Sequence, residues 1–239
     1  MIISAHQPAY NPWLGFIHKI LLCDTFVVMD DVQFEKNSFI NRNKILQGNS
    51  EVMLTIPVKT KDYKSKTLRD IEVVDARWQI KHLKNIEQAY RKSKYFDAIF
   101  DDLEKIYSIK SDFLIDYTNA YLDFIVKQLE IKSTIVFASD LNIESKKLDY
   151  VCELTQKLDG ELFVFGSQGK DYADLDYLKT KNITSYFQEY QHPSYHQSSK
   201  EFHPYMGIVD LLFNEPQSEV KNIILTNNIS KKQLRSIDV

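Results

Sequence analysis

Chemistry-bearing residues gather at a few short stretches of the chain. His6-Gln7-Pro8 ends a brief apolar run, Met1 to Ala5, and Tyr10, Pro12, Trp13 and Gly15 follow at once. A histidine at a strand end serves as acid, base or hydrogen-bond donor near neutral pH; its structural alternative is a cap on the helix that follows. Asp30-Asp31 with Gln33 closes a second apolar run. Adjacent carboxylates repel unless something positive lies between them, so the pair reads either as a plain turn or as a holder of a cation or base. No other acidic cluster has ligand spacing, and a metal is not expected. "NSFINRNKI" places Asn37, Asn41, Arg42 and Asn43 close together. Arg42 offers a planar fork for phosphate or carboxylate, or an ion pair with the preceding acids.

Later stretches add to this set. "GSQGK" carries Gly169 and Lys170 but lacks the full phosphate-loop spacing, and Asp171 follows the lysine. It reads as a tight turn from which Lys170 touches a ligand. His192, His196 and His203 fall within twelve residues, with Tyr195 and Gln197 among them. The spacing suits a helix face, but Pro193 and the Ser198-Ser199 pair make the stretch a loop, which argues against zinc. The expectation is a polar loop closing over a site with Tyr195 and Gln197 inward. Neither a G-x-S-x-G elbow nor an H-E-x-x-H pair occurs.

Composition limits the function classes. The 239 residues are 44% hydrophobic and 26% charged, with a formal net charge of −3. Such a balance fits a globular chain and argues against a dedicated nucleic-acid binder, which carries a basic surplus. No apolar run is long enough for a membrane span. The first apolar run is too short, and lacks the basic lead, for a secretory signal. Cys23 and Cys152 match no metal or redox spacing and read as reduced, buried thiols, so the expected compartment is the cytosol.

The elements that position these residues alternate in type. Buried strands are expected at 2–5, at "TFVVMDDV", "EVMLTIPV", "LRDIEVVD", "STIVFASDL", "ELFVFGSQG" and "ITSYFQEY". Helices are expected from about Pro12 to Leu22, over "DARWQIKHLKNIEQAYRKS" with Asp75 as cap, over "YFDAIFDDLEKIYS", and over "SDFLIDYTNAYLDFIVKQLEI" with Ser111 or Asp112 as cap. A further helix runs to Gly160, and two more lie near 204–214 and 216–226. Nearly all-apolar strands between helices predict an α/β fold: a mostly parallel, Rossmann-like sheet with helices on both faces and a helical insertion around 76–131. No repeat or flexible linker interrupts 1–239, so a single domain is expected. In such sheets ligands bind at the carboxyl ends of the strands, and four of those ends carry polar residues.

The motifs "HQPAYNPWLGFIHKI", "DTFVVMDDVQFEKNSFINRNKI", "LTIPV", the Trp78/His82 helix, "SDL", "GSQGKDY", "HPSYHQ" and "FHPYMGIVDLLFN" occur in the order seen in the WbqC-like family, which the chain resembles over about residues 2–214. It departs from the family at Gly207, where Ser is usual, and at Phe-Gly-Ser-Gln-Gly, where Ser-Gly-x-Gly is common. The resemblance implies a role in O-antigen or other surface-polysaccharide synthesis, with acyl or aminoacyl transfer to an amino sugar on a nucleotide carrier. Its partner would be that small molecule, and its cofactor a nucleotide or acyl donor. By position the candidate site is His6, Gln7, Tyr10, Trp13, Asp31, Gln33, Asn41, Arg42, His82, Gly169, Lys170, His192, Tyr195 and Gln197. On that reading His6 is the base, Asp31 orients it or the amine, Arg42 and Lys170 neutralise phosphate, and Tyr10 and Trp13 stack on base or sugar. The first strand, its His/Pro turn and its helix also resemble the start of HIGH-type nucleotidyltransferases and of pantothenate synthetase, although the H-x-G-H tetrad is missing. Two alternatives follow: an ATP-dependent adenylate-forming or nucleotidyltransferase-like enzyme, and a non-catalytic binding protein of the polysaccharide machinery.

Overall fold

Short apolar strands that must satisfy their backbone in a dry interior pair side by side, and five of them do so here. A computed structural model describes residues 1–74 and 77–237; the expected cap at Asp75 lies outside them. Strands β1 (Ile2–His6), β2 (Thr25–Val28), β5 (Thr134–Phe137), β6 (Leu162–Phe165) and β7 (Thr184–Phe187) form one sheet, in the order β5-β2-β1-β6-β7. Every pairing within it is parallel. The remaining strands, β3 (Arg42–Gln47) and β4 (Ser50–Thr55), make a separate antiparallel hairpin.

Strand alternation sends neighbouring side chains to opposite faces. Ile2, Phe26, Val28 and Val164 pack into one core with helix α1 (Leu14–Leu22). Ile3, Ala5, Val27, Phe163 and Phe165 pack into a second core with α5 (Leu148–Lys157) and α6 (Leu175–Thr180). The architecture is α/β, a parallel sheet flanked by helices in a Rossmann-like arrangement. Between β2 and β5 the chain builds the hairpin and then α2 (Arg77–Tyr90), α3 (Phe96–Tyr107) and α4 (Leu114–Gln128), which share the first core. Three helices follow β7: α7 (Ile208–Asn214), α8 (Gln217–Leu225) and α9 (Lys231–Arg235).

Several local expectations are corrected. "EVMLTIPV" supplies β4 of the hairpin and takes no part in the parallel sheet, because its partner is the preceding segment 42–47. "LRDIEVVD" is a short 3-10 turn at Leu68–Asp70 followed by isolated bridges, Val58 with Val73 and Glu72 with Phe113. Helix α4 has Phe113 at its cap position, with no side-chain cap; Ser111 instead accepts from the Phe113 N–H at 3.0 Å. After α5 the left-handed residue is Asp159, at φ 52°. Gly160 is required for space: a Cβ there would lie 2.4 Å from Ile3 Cγ1. The same holds at Gly207, where a Cβ would sit 2.1 Å from the Asn11 amide nitrogen.

That last contact belongs to a lock on the opening turn. Asn11 takes a left-handed φ of 44° and is fully buried. Asn43 Nδ2 donates to its carbonyl at 2.7 Å, Ile208 N donates to Pro12 O at 2.8 Å, and Trp13 bridges to Gly207. The turn after β1 is therefore held by the hairpin on one side and the start of α7 on the other.

Candidate functional site

In the sheet order, the chain moves outward from β1 through β2 to β5, then returns and moves outward from β6 to β7. The reversal between β1 and β6 is a topological switch point, where open α/β sheets place their ligands. A cavity of about 720 Å³ opens at these strand ends. Its walls come from the turn after β1 (His6 to Ala9), the first turns of α1 (Trp13 to Lys19), the segment Ser38–Ile40, and the loops after β6 (Gly166 to Gln168) and β7 (Gln188 to Gln191). Its volume falls within the range of small-molecule sites. A depression of about 840 Å³ between the hairpin turn and the end of α2 is larger, but among the described residues no buried unpartnered polar atom lines it.

His6 stands on the wall, its ring edge-on to Trp13 at 5.4 Å and to Phe16 at 5.3 Å. Its Nδ1 lies 2.8 Å from the Gln7 carbonyl. A carbonyl only accepts, so Nδ1 carries the proton and Nε2 keeps a lone pair. Burial, and next the charge of Lys19, bring the His6 pKa down to about 4. At neutral pH the ring is neutral and accepting.

Lys19 is the residue that the sequence did not single out. It is 5% exposed and lines the cavity. Its ammonium donates to Ala5 O at 2.8 Å, and no carboxylate among the described residues lies within ion-pair distance. Burial pulls its pKa down to about 8, with nearby Cys23 acting in the other direction. Tyr190, on the same wall, has a hydroxyl shielded from solvent with no partner among the described residues. Gln188 fixes this wall to α1, donating to Gly15 O at 2.9 Å and to His18 Nδ1 at 2.8 Å.

The structure brings His6, Gln7 and Trp13 into this cavity. It places the other candidates elsewhere. Asp31 accepts from the Tyr150 hydroxyl at 2.7 Å and lines a separate depression with Arg69 and Ser139; its neighbour Asp30 accepts from Ser139 Oγ at 2.7 Å. Gln33 is exposed and bridges to Thr67. Asn41 is buried and donates to Ile56 O at 2.8 Å. Arg42 opens β3 and donates to Asn37 O, its Nε buried without a partner. Gly169 packs on Phe165, where a Cβ would lie 2.6 Å from the Phe165 Cβ. Lys170 pairs with Glu189 at the rim. The four residues expected to neutralise or orient a ligand together, His6, Asp31, Arg42 and Lys170, thus do not line one cavity.

Tyr10 and His82 belong to a buried polar chain in the first core. The Tyr10 hydroxyl meets His82 Nδ1 at 2.8 Å and the Tyr107 hydroxyl at 2.5 Å, and Tyr107 meets Tyr121 at 2.6 Å. Burial first of all brings His82 to about 4. The late loop is likewise engaged. His192 donates from Nδ1 to Pro193 O at 2.9 Å and accepts from Tyr205 N at 3.1 Å. Tyr195 and Gln197 both donate to Asp210 Oδ2 at 2.7 Å, and Tyr90 donates to Oδ1 at 2.7 Å. Gln197 also accepts from His203 N at 2.8 Å. Among the described residues no group of three or more His, Cys, Asp or Glu is placed to hold a metal ion, and no helix is long and apolar enough to cross a membrane.

A parallel sheet in this order, with a cavity at its switch point, defines a Rossmann-like α/β protein. Within that class the chain belongs to the WbqC-like protein family, whose model matches residues 7–222. It is also 27% identical over 214 residues to the uncharacterized protein Rv1507c of Mycobacterium tuberculosis, covering 89% of this chain and 93% of that one.

Proposed function

We propose that the protein is an enzyme of bacterial surface-polysaccharide synthesis that transfers an acyl or aminoacyl group to an amino sugar on a nucleotide carrier. The observation that carries the reading is His6: a neutral imidazole on the wall of the switch-point cavity, its Nδ1–H given to Gln7 O and its Nε2 left as a base. In the reaction the sugar amine attacks the acyl carbonyl, an amide N–C bond forms, and the bond to the donor's leaving group breaks. The proton lost by nitrogen goes to His6 Nε2. A base of pKa about 4 is weak for work at pH 7. The second cause of that low value is the Lys19 charge, and an anionic ligand that offsets this charge raises His6 toward the working range. Trp13, Phe16 and Phe39 supply an aromatic wall for a base or acyl chain.

The test is His6→Asn, assayed with an acyl thioester donor and a nucleotide-linked amino sugar. Turnover should fall by about 10²–10⁴-fold, the usual worth of a general base, with the melting temperature unchanged. A stably folded variant with normal turnover overturns the assignment. Release of pyrophosphate from ATP in the presence of a carboxylic acid would favour the adenylate-forming alternative.

A further inference from the structure

The cavity between β1 and β6 is built around a buried cation with too few partners. Lys19 extends from α1 to the end of β1. There the His6 carbonyl is taken on the β2 side by Met29 N, at 2.9 Å. Strand alternation turns the preceding Ala5 carbonyl toward β6, but the β1–β6 register ends at Ser4 with Val164. The Lys19 ammonium takes that free carbonyl and so sits where the two strands part. An ammonium has three N–H donors, and among the described residues one is used. Charge withdrawn from water with neither counter-ion nor full hydrogen bonding is costly, and a neutral side chain of similar length would fill the same space without that cost.

A second orphan stands on the same wall. The hydroxyls of Tyr10, Tyr90, Tyr107, Tyr121 and Tyr195 all have partners inside the molecule. The Tyr190 hydroxyl is equally shielded and has none among the described residues. The carboxylate that lines the cavity, Glu189, is paired with Lys170. The charge left unbalanced at the strand ends is therefore positive, and the residues lining the same cavity carry two spare ammonium donors and an unpartnered phenol.

We propose that Lys19 and Tyr190 form a phosphoryl-binding floor at the end of the sheet, holding the phosphate oxygens of the ligand while His6 faces its reacting part. This rests on the functional reading above and deepens it, because it assigns the anionic segment of the nucleotide carrier to a defined pair of residues. A phosphoryl group has enough acceptor oxygens to take both spare ammonium hydrogens and the phenol.

The test titrates the full chain with inorganic diphosphate by calorimetry, at constant ionic strength, with sulfate as the control anion. Diphosphate should bind, and more tightly than sulfate. Lys19→Met should weaken binding by about 10–100-fold, the equivalent of one charge-assisted hydrogen bond. Tyr190→Phe should weaken it by about 2–10-fold, and Lys84→Met, an exposed lysine on α2, should not change it. Absence of diphosphate binding in the parent protein at millimolar concentration, or equal binding by Lys19→Met, overturns the proposal. If Lys19→Met does not fold, the isosteric Tyr190→Phe variant decides: unchanged affinity there overturns the floor. The two readings fail separately. Diphosphate bound through Lys19 without transfer to any amino sugar removes the functional reading alone. Transfer by Lys19→Met at an unchanged KM for the nucleotide sugar removes the phosphoryl floor alone.

Discussion

Among the buried ionisable groups of this molecule, Asp210 and Lys19 are treated differently. Asp210, on α7, is fully buried, yet it receives Tyr90 on one oxygen and Tyr195 and Gln197 on the other, each at 2.7 Å. Lys19, on α1, is 5% exposed and has a single backbone carbonyl. Burial drives both toward their neutral forms: the Asp210 carboxyl is pushed up and its three donors pull it back, while Lys19 is brought down to about 8 with little to oppose the fall. The difference separates architecture from function. A buried charge whose partners all come from the chain holds the fold together, as Asp210 ties the 191–203 loop and the end of α2 to α7. A buried charge left short of partners on a cavity wall is, on the reading proposed above, a site that the fold keeps open.

The comparison can be broken most forcefully at Asp210. Asp210→Ala strands two phenols and an amide in a dry interior, and should cost about 3–5 kcal/mol of stability in a denaturant titration. A loss under 1 kcal/mol would mean that the network is decorative. At Lys19 the expected effect is next in size and opposite in character. Its folded pKa, about 8, lies below the ordinary 10.5, so between those values the unfolded chain holds more protons and stability rises with pH. The full penalty, about 3 kcal/mol at 1.36 per pKa unit, is present below pH 8. Cys23, pushed up to about 12 by burial, acts against this rise above pH 9, so the quantity to follow is the parent protein minus Lys19→Met. That difference should grow in the parent's favour from pH 8 to pH 10; a flat difference would show that Lys19 is solvated. The smallest effect is expected from Tyr195→Phe, which leaves Asp210 with Tyr90 and Gln197. It should cost about 0.5–1.5 kcal/mol and increase hydrogen exchange in the 191–203 loop, with no change in diphosphate affinity.

Much of the frame was legible in the sequence because buried parallel strands write themselves as unbroken apolar runs. The runs ending at His6, Val28, Phe137 and Phe165 are all strands of the sheet. The hairpin was half hidden: Arg42-Asn43-Lys44 opens β3 with three polar residues, of which Asn43 is fully buried, so its periodicity points nowhere. "LRDIEVVD" misled for the opposite reason, since its alternation suits a strand that finds only isolated bridges. Lys19 passed unnoticed because a lysine four residues before Cys23 looks like the wet face of an amphipathic helix. Yet eight of the nine residues of α1 are buried, His18 and Lys19 included, and a helix dry on all sides makes its one lysine conspicuous. Tyr190 gave no signal at all. Its meaning lies in a missing partner, and a sequence does not record absences of that kind.

The lock on the opening turn bears on the order in which the molecule is made. Trp13 bridges to Gly207, and Pro12 O accepts from Ile208 N, so residues near the start of the chain are fastened by residues close to its end. A ribosome produces the His6 turn and the α1 lysine long before it produces their clasp. During that interval β1 and β2 can already lie side by side, but the mouth of the cavity has neither the β7 wall nor the α7 anchor. Contacts of such long sequence separation are slow to close. The cavity thus waits for its late walls and clasp, and a nascent chain released short of Gly207 would carry much of the sheet without the contacts that hold the opening turn.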